Sequence, residues 1–167
     1  MSRPITKEQI QQSGQANIVF IETLTSDPTF FDKDEVLLHV SFQLLVNFVE
    51  EEWMTNENFS PDNFPDFERE QRAWFEQLRT PISPENPAFF PDDPEINDET
   101  NLANKEQAEA EEALLDLYKW WKYDRKEERA ALHRNSMQEM MPLITEFDDR
   151  EQEMFEKLAR YRRAMWI

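Results

Sequence analysis

Apolar residues recur at helical spacing in four stretches of the chain, separated by runs of Pro, Asn, Asp and Ser. Between Asp34 and about Trp53, Leu38, Phe42, Leu45 and Val49 fall on one face with Leu37, Leu44 and Phe48 beside them, which predicts a core-facing helix. Pro65 opens a second predicted helix running to about Arg79, with Phe67, Trp74, Phe75 and Leu78 as a shorter stripe. From about Asn101 a long helix is predicted to Tyr123 or beyond, its inner face marked by Leu114, Leu117 and Trp121. Asn135 and Ser136 indicate a break, and Pro142 marks either a second boundary or the first turn of a final helix. In that helix Ile144, Phe147, Met154, Leu158, Tyr161 and Met165 alternate three and four apart, the spacing of a helix–helix seam. Glu151 occupies a seam position that should be apolar.

Two segments do not read as helix. NIVFIETLT, residues 17–25, is β-branched and alternates only partly, so it is either an edge strand or a helix turn inside an N-terminal arm over 1–30. Between Thr80 and Thr100 lie five prolines, six acids and no base, which predicts a long irregular connection with Phe89 and Phe90 pinning it to the body. The architecture expected is one all-α domain over residues 1–167, with four or five helices and a long acidic, Pro-rich connection over 80–100.

Composition supports that class. Gly14 is the single glycine, and hairpins ordinarily draw on glycine for positive-φ positions, so a hairpin-rich β fold is disfavoured. The 13 Phe, 5 Trp and 7 Met provide a core despite 32% charged residues. The lack of Cys removes disulfides, thiolate metal sites and a Cys nucleophile. No apolar run reaches about 18 residues, and MSRPITKEQIQQSGQ lacks the apolar stretch of a secretory signal, so a cytoplasmic protein without membrane insertion is expected.

Charge narrows the partners. The net charge is −18, of which residues 1–104 contribute −15 (6 bases, 21 acids) and residues 105–167 contribute −3 (12 bases, 15 acids). Such a chain repels phosphate backbones and anionic lipid, so direct nucleic-acid or membrane-surface binding is not expected and a basic protein partner is.

Catalytic chemistry is hard to find. Phosphate-cradling loops need clustered glycines, and His39 and His133 are far apart with no HExxH or ExxH pairing to build a metal site. Glu35 precedes His39 by four residues, a spacing that permits a hydrogen bond raising the imidazole pKa. No serine sits in a GxSxG elbow, and carboxylates are too numerous for any one pair to indicate acid–base work. No catalytic, cofactor-binding or metal-binding residue is assigned, and a non-enzymatic role is expected.

Residues suited to a partner are easier to name. Glu50, Glu51, Glu52 and Trp53 end the first predicted helix, where negative charge opposes the helix dipole; a solvated end and a surface for a basic partner both fit. Trp120 and Trp121 point about 100° apart on a helix, so either a wide core face takes both or one indole contacts a partner. Met137, Met140 and Met141 read as core first and as an adaptable interface second. Arg160, Arg162 and Arg163, close to Trp166, complement a helix C-terminus, form a small anion-binding patch, or pair with the acidic part of this chain or of a second copy.

The stretches LLHVSFQLLVNFVEEEW, LLDLYKWWKYDR and KLARYRRAMWI resemble a family of uncharacterised proteins of tailed bacteriophages, in which an "FVE" helix end, an "LYxWW" element and a basic "R…W" terminal helix follow in this order. The likeness spans about half of the chain. It departs after YKWWKYDR, where the family pattern has a proline-rich loop and this chain has charged helix formers. The resemblance implies a viral protein acting in the infected host cytoplasm or in the virion, and implies no activity or catalytic residue. Two roles are therefore expected: an interaction or structural module that binds a host or virion protein or forms a homo-oligomer, or an acidic mimic of nucleic acid that inhibits a bacterial DNA- or RNA-binding defence enzyme.

Overall fold

The first helix, α1 (Lys33–Asn47), carries Asp34 and Glu35 in its opening turn, where the helix dipole favours negative charge. It runs directly into a π-helical turn, Phe48–Trp53. The computed structural model describes residues 33–54, 63–132, 134 and 137–166, so the arm over 1–30 and the 17–25 segment lie outside the described residues. Helix α2 (Phe64–Arg79) has Pro65 in its first turn, as the sequence predicts.

Helix α3 (Pro94–Lys119) begins seven residues before the expected Asn101. Asp93 supplies the reason, since its carboxylate accepts the Ile96 amide at 3.3 Å while Pro94 takes a first-turn position that needs no donor. The irregular connection therefore shrinks to residues 80–93. Asparagines clasp it: the Phe90 amide donates to Asn97 Oδ1, Asn97 Nδ2 donates to the Phe90 carbonyl, and the Ile82 amide donates to Asn101 Oδ1, all at 2.8–2.9 Å, while Phe89 is half-buried. Phe90 itself is 48% exposed. An irregular backbone must satisfy its polar groups one at a time, and a buried Asn amide serves as both donor and acceptor.

Without interruption α3 continues through a second π-helical turn, Trp120–Asp124, into α4 (Arg125–Leu132). Helix α5 (Met137–Tyr161) then returns and closes in a 3-10 turn, Arg162–Trp166. Pro142 lies inside α5 rather than at a boundary; close to the helix start, its missing N–H removes one bond without ending the rod. The described residues thus form an all-α structure of four rods, with α2 along α3, α5 across α3 and α4, and α1 against α3 and α5.

The core joins Phe42, Leu45 and Val49 of the first rod to Leu114, Leu117, Tyr118, Trp120 and Trp121 of the third, with Phe67 and Phe75 from α2 and Met154 and Leu158 from α5. Trp74, expected in the α2 stripe, is 47% exposed, because α2 packs through its Phe64–Phe67–Phe75 edge. No helix among the described residues is long and apolar enough to cross a membrane.

Candidate docking cleft

The residues proposed from sequence as partner contacts mostly turn inward. Trp120 and Trp121 are 3% and 4% exposed. Trp121 stacks on Phe42 at 4.3 Å and 9°, and Trp120 lies tilted 5.5 Å from the same ring. The π turn explains how adjacent indoles share one core, since its i→i+5 bonding inserts an extra residue into the turn and widens the inward sector. Trp53 is half-buried against Phe48, Phe67 and Phe75. Glu50 accepts from the Tyr118 hydroxyl and from Lys122 Nζ, each at 2.8 Å, tying the two π turns together. Burial first, and then Glu50, raise the Tyr118 pKa. Only Glu51 and Glu52 face outward. The Trp166 side chain lies outside the described residues, although its backbone belongs to the terminal turn.

A surface the sequence did not reveal opens between α1, α4 and α5. Leu37 and Leu38 of α1, Leu132 of α4, and Met140, Ile144, Phe147 and Phe155 of α5 line a cleft of about 1040 Å³. Asp34 and Glu35, Asp148 and Gln152, and Arg129 add polar edges. Leu37 is 53% exposed, and Met141, next to the lining Met140, is 62% exposed. A smaller cavity of about 400 Å³ lies beside it and shares Leu132 and Phe147 with the cleft.

The inner wall of the cleft is an ion pair. Arg125 Nε and Nη2 both donate to Glu151 Oε1, at 2.6 and 2.5 Å, with side chains only 9% and 18% exposed. The guanidinium lies 4.3 Å from the centre of the Trp121 ring and 5.8 Å from that of Phe147. Glu151 was the residue that broke the α5 seam, and Arg125 stands where the inner face of α3 and α4 would otherwise be apolar; each answers the other's charge.

Behind Trp121, at 5.0 Å edge to face, sits His39, which is 3% exposed. Its pKa is lowered to about 4, chiefly by burial and then by the positive charges of Arg125 and Arg129. This reverses the upward shift expected from Glu35, because the sequence showed the carboxylate on the same helix but neither the burial of the ring nor the two guanidinia across from it.

The acids divide into two populations. Along the α2–α3 contact they are answered by cations: Arg72 donates to Glu68, Glu112 and Asp116 at 2.8–3.0 Å, Arg79 pairs with Glu112, and Lys119 pairs with Glu68 at 3.0 Å. Burial pushes the Glu68 pKa up, but the hydrogen bonds from Lys119 and Arg72 outweigh it and hold the carboxyl below its ordinary value. From the connection into α3, by contrast, Glu85, Asp92, Asp93, Glu95, Asp98, Glu99, Glu106 and Glu109 are all exposed, with Lys105 the one base between Glu85 and Glu109. Among the described residues no group of three or more metal-binding side chains is gathered.

No protein-family model matches the chain, and neither curated proteins nor solved structures yield a match.

Proposed function

We propose that this protein is a non-enzymatic interaction module whose cleft between α1, α4 and α5 receives an amphipathic helix of a partner protein. The observation that carries the reading is the cleft itself, a channel of about 1040 Å³ whose apolar lining includes the exposed side chain of Leu37. Among the described residues its lining holds no hydroxyl, thiol, amine or imidazole. Its span along α5, from Met140 to Phe155, is about 22 Å at 1.5 Å per residue. Volume over length then gives a mean section of roughly 50 Å², about half that of a helix ~11 Å across with its side chains. One face of a helix fits, and the other stays in water. Met140, an unbranched and adaptable side chain, suits a surface that adjusts to its occupant. On the resemblance to bacteriophage proteins, the partner we propose is a host or virion protein of an infected bacterium.

Leu37→Asp and Ile144→Asp, both on the cleft, provide the test. A partner recovered from infected bacteria by the wild-type chain should be lost in both variants, and its binding should slow amide hydrogen exchange in α1, α4 and α5. Protection confined to α2 or the 80–93 connection, with binding intact in both variants, would sink this reading.

The second reading, an acidic mimic of nucleic acid, is favoured by the eight exposed acids between Glu85 and Glu109. The neutralised acids of the α2–α3 contact narrow it to that one arm. Charge reversal of Glu95, Asp98, Glu99 and Glu106 should abolish inhibition of a DNA-binding defence enzyme if this is the role, and leave it untouched if it is not.

A further inference from the structure

Resting on the docking reading, the charges around the cleft identify the chemistry of its occupant: we infer that the partner helix is basic, with lysines or arginines flanking its apolar face. Four carboxylates line the cleft, Asp34, Glu35, Asp148 and Glu151, against two guanidinia. Arg125 and Glu151 cancel each other at 2.5 Å, which leaves Glu35 and Asp148, with Arg129, to face the occupant. Glu35 and Asp148 make no ion pair among the described residues and stand on opposite walls, one on α1 and one on α5. An apolar face seated between them presents its flanking positions to a carboxylate on either side. Arg129, on α4, favours an acid or a neutral residue at the point of the occupant that reaches it. The binding mode is a helix laid in a groove, because the described residues include no sheet edge to which a strand could add.

A second copy of this chain is a poor occupant. Each copy carries a net charge of −18, so two copies repel at long range. The most basic helix end among the described residues, Arg160 to Arg163, belongs to a segment whose apolar residues Leu158 and Met165 are already buried in its own core. A foreign basic helix meets the opposite situation: the field of the whole molecule attracts it, and the cleft supplies apolar area that it lacks alone.

The experiment uses the full chain and three synthetic 18-residue helical peptides that share one leucine face and carry lysine, glutamine or glutamate on the rest. Fluorescence anisotropy should show the lysine peptide binding tightest, weakening as salt rises. Glu35→Lys with Asp148→Lys should weaken it by about five- to tenfold, the scale of two partly exposed ion pairs, while strengthening the glutamate peptide. Equal binding of all three peptides, lost in Ile144→Asp, would leave the docking cleft standing and overturn its preference for bases. Binding of the lysine peptide that survives Ile144→Asp, or no peptide binding at all, would overturn the docking reading as well. A concentration-dependent rise in mass by light scattering, abolished by Ile144→Asp, would hand the cleft to a second copy and refute the inference.

Discussion

Arg125 and Glu151 each occupy a position that their own helix reserves for an apolar residue, and each is tolerable only because of the other. Removing one partner from a buried pair leaves an unanswered charge, so Arg125→Met or Glu151→Leu alone should cost about 3–5 kcal/mol in urea unfolding. The double variant should recover most of that loss, since an apolar pair of similar volume has no charge to desolvate. Losses that simply add would show that the two residues act independently. His39 carries a pH signature on the same spot. Its folded pKa of about 4 lies below the usual histidine value near 6.5, so the unfolded chain binds the proton more readily. The His39 contribution is complete above pH 6.5 and is lost as the pH falls toward 4, by roughly 2–3 kcal/mol. Beyond what the carboxylates contribute, the wild type should lose this extra stability while His39→Leu does not, and parallel pH profiles for the two proteins would contradict the assignment.

At the scale of elements, the π-helical turn Trp120–Asp124 and the packing edge of α2 divide the indoles between core and surface. Trp121 is stacked beneath Phe42 and over Arg125, whereas Trp74 stands half in solvent on α2. Trp121→Ala should therefore destabilise by about 3–5 kcal/mol and Trp74→Ala by no more than about 0.5 kcal/mol, as read from chemical denaturation. From sequence both indoles fall on apolar stripes, because an amphipathic stripe shows which side of a helix is apolar but not which edge of that side its neighbour covers. The connection was legible as irregular from its prolines, while its clasp was not. Asn97 joins Phe90 and Asp93 to α3 by three hydrogen bonds, so Asn97→Ala should speed proteolytic cleavage within 80–93 without unfolding the helices. An unchanged cleavage rate would mean that other contacts hold the connection.

Over the whole molecule, a net charge of −18 is a standing repulsion that the fold relieves locally. Arg72 is the principal relief, since it bridges α2 to two carboxylates of α3 while also holding Glu68. Arg72→Met should lower the melting temperature most at low ionic strength, with the deficit shrinking as salt is added. A deficit independent of salt would assign Arg72 a packing role instead. The docking cleft belongs to this scale too, because its walls come from three helices, and no stretch of sequence contains enough of it to be recognised.

The sequence by itself determined the helical class, the approximate positions of the rods (the start of α3 missed by seven residues), the irregularity of the connection and the acidity of the first two thirds. These follow from properties local to the chain: the period of apolar residues, the scarcity of glycine, the prolines and the count of charges. Tertiary structure alone decided which side chains meet. It turned Trp120 and Trp121 inward, gave Glu50 to Lys122 and Tyr118, lowered the His39 pKa instead of raising it, and supplied Glu151 with Arg125. Each outcome depends on a group tens of residues away in sequence and a few ångströms away in space, where burial and charge act by distance and not by order along the chain.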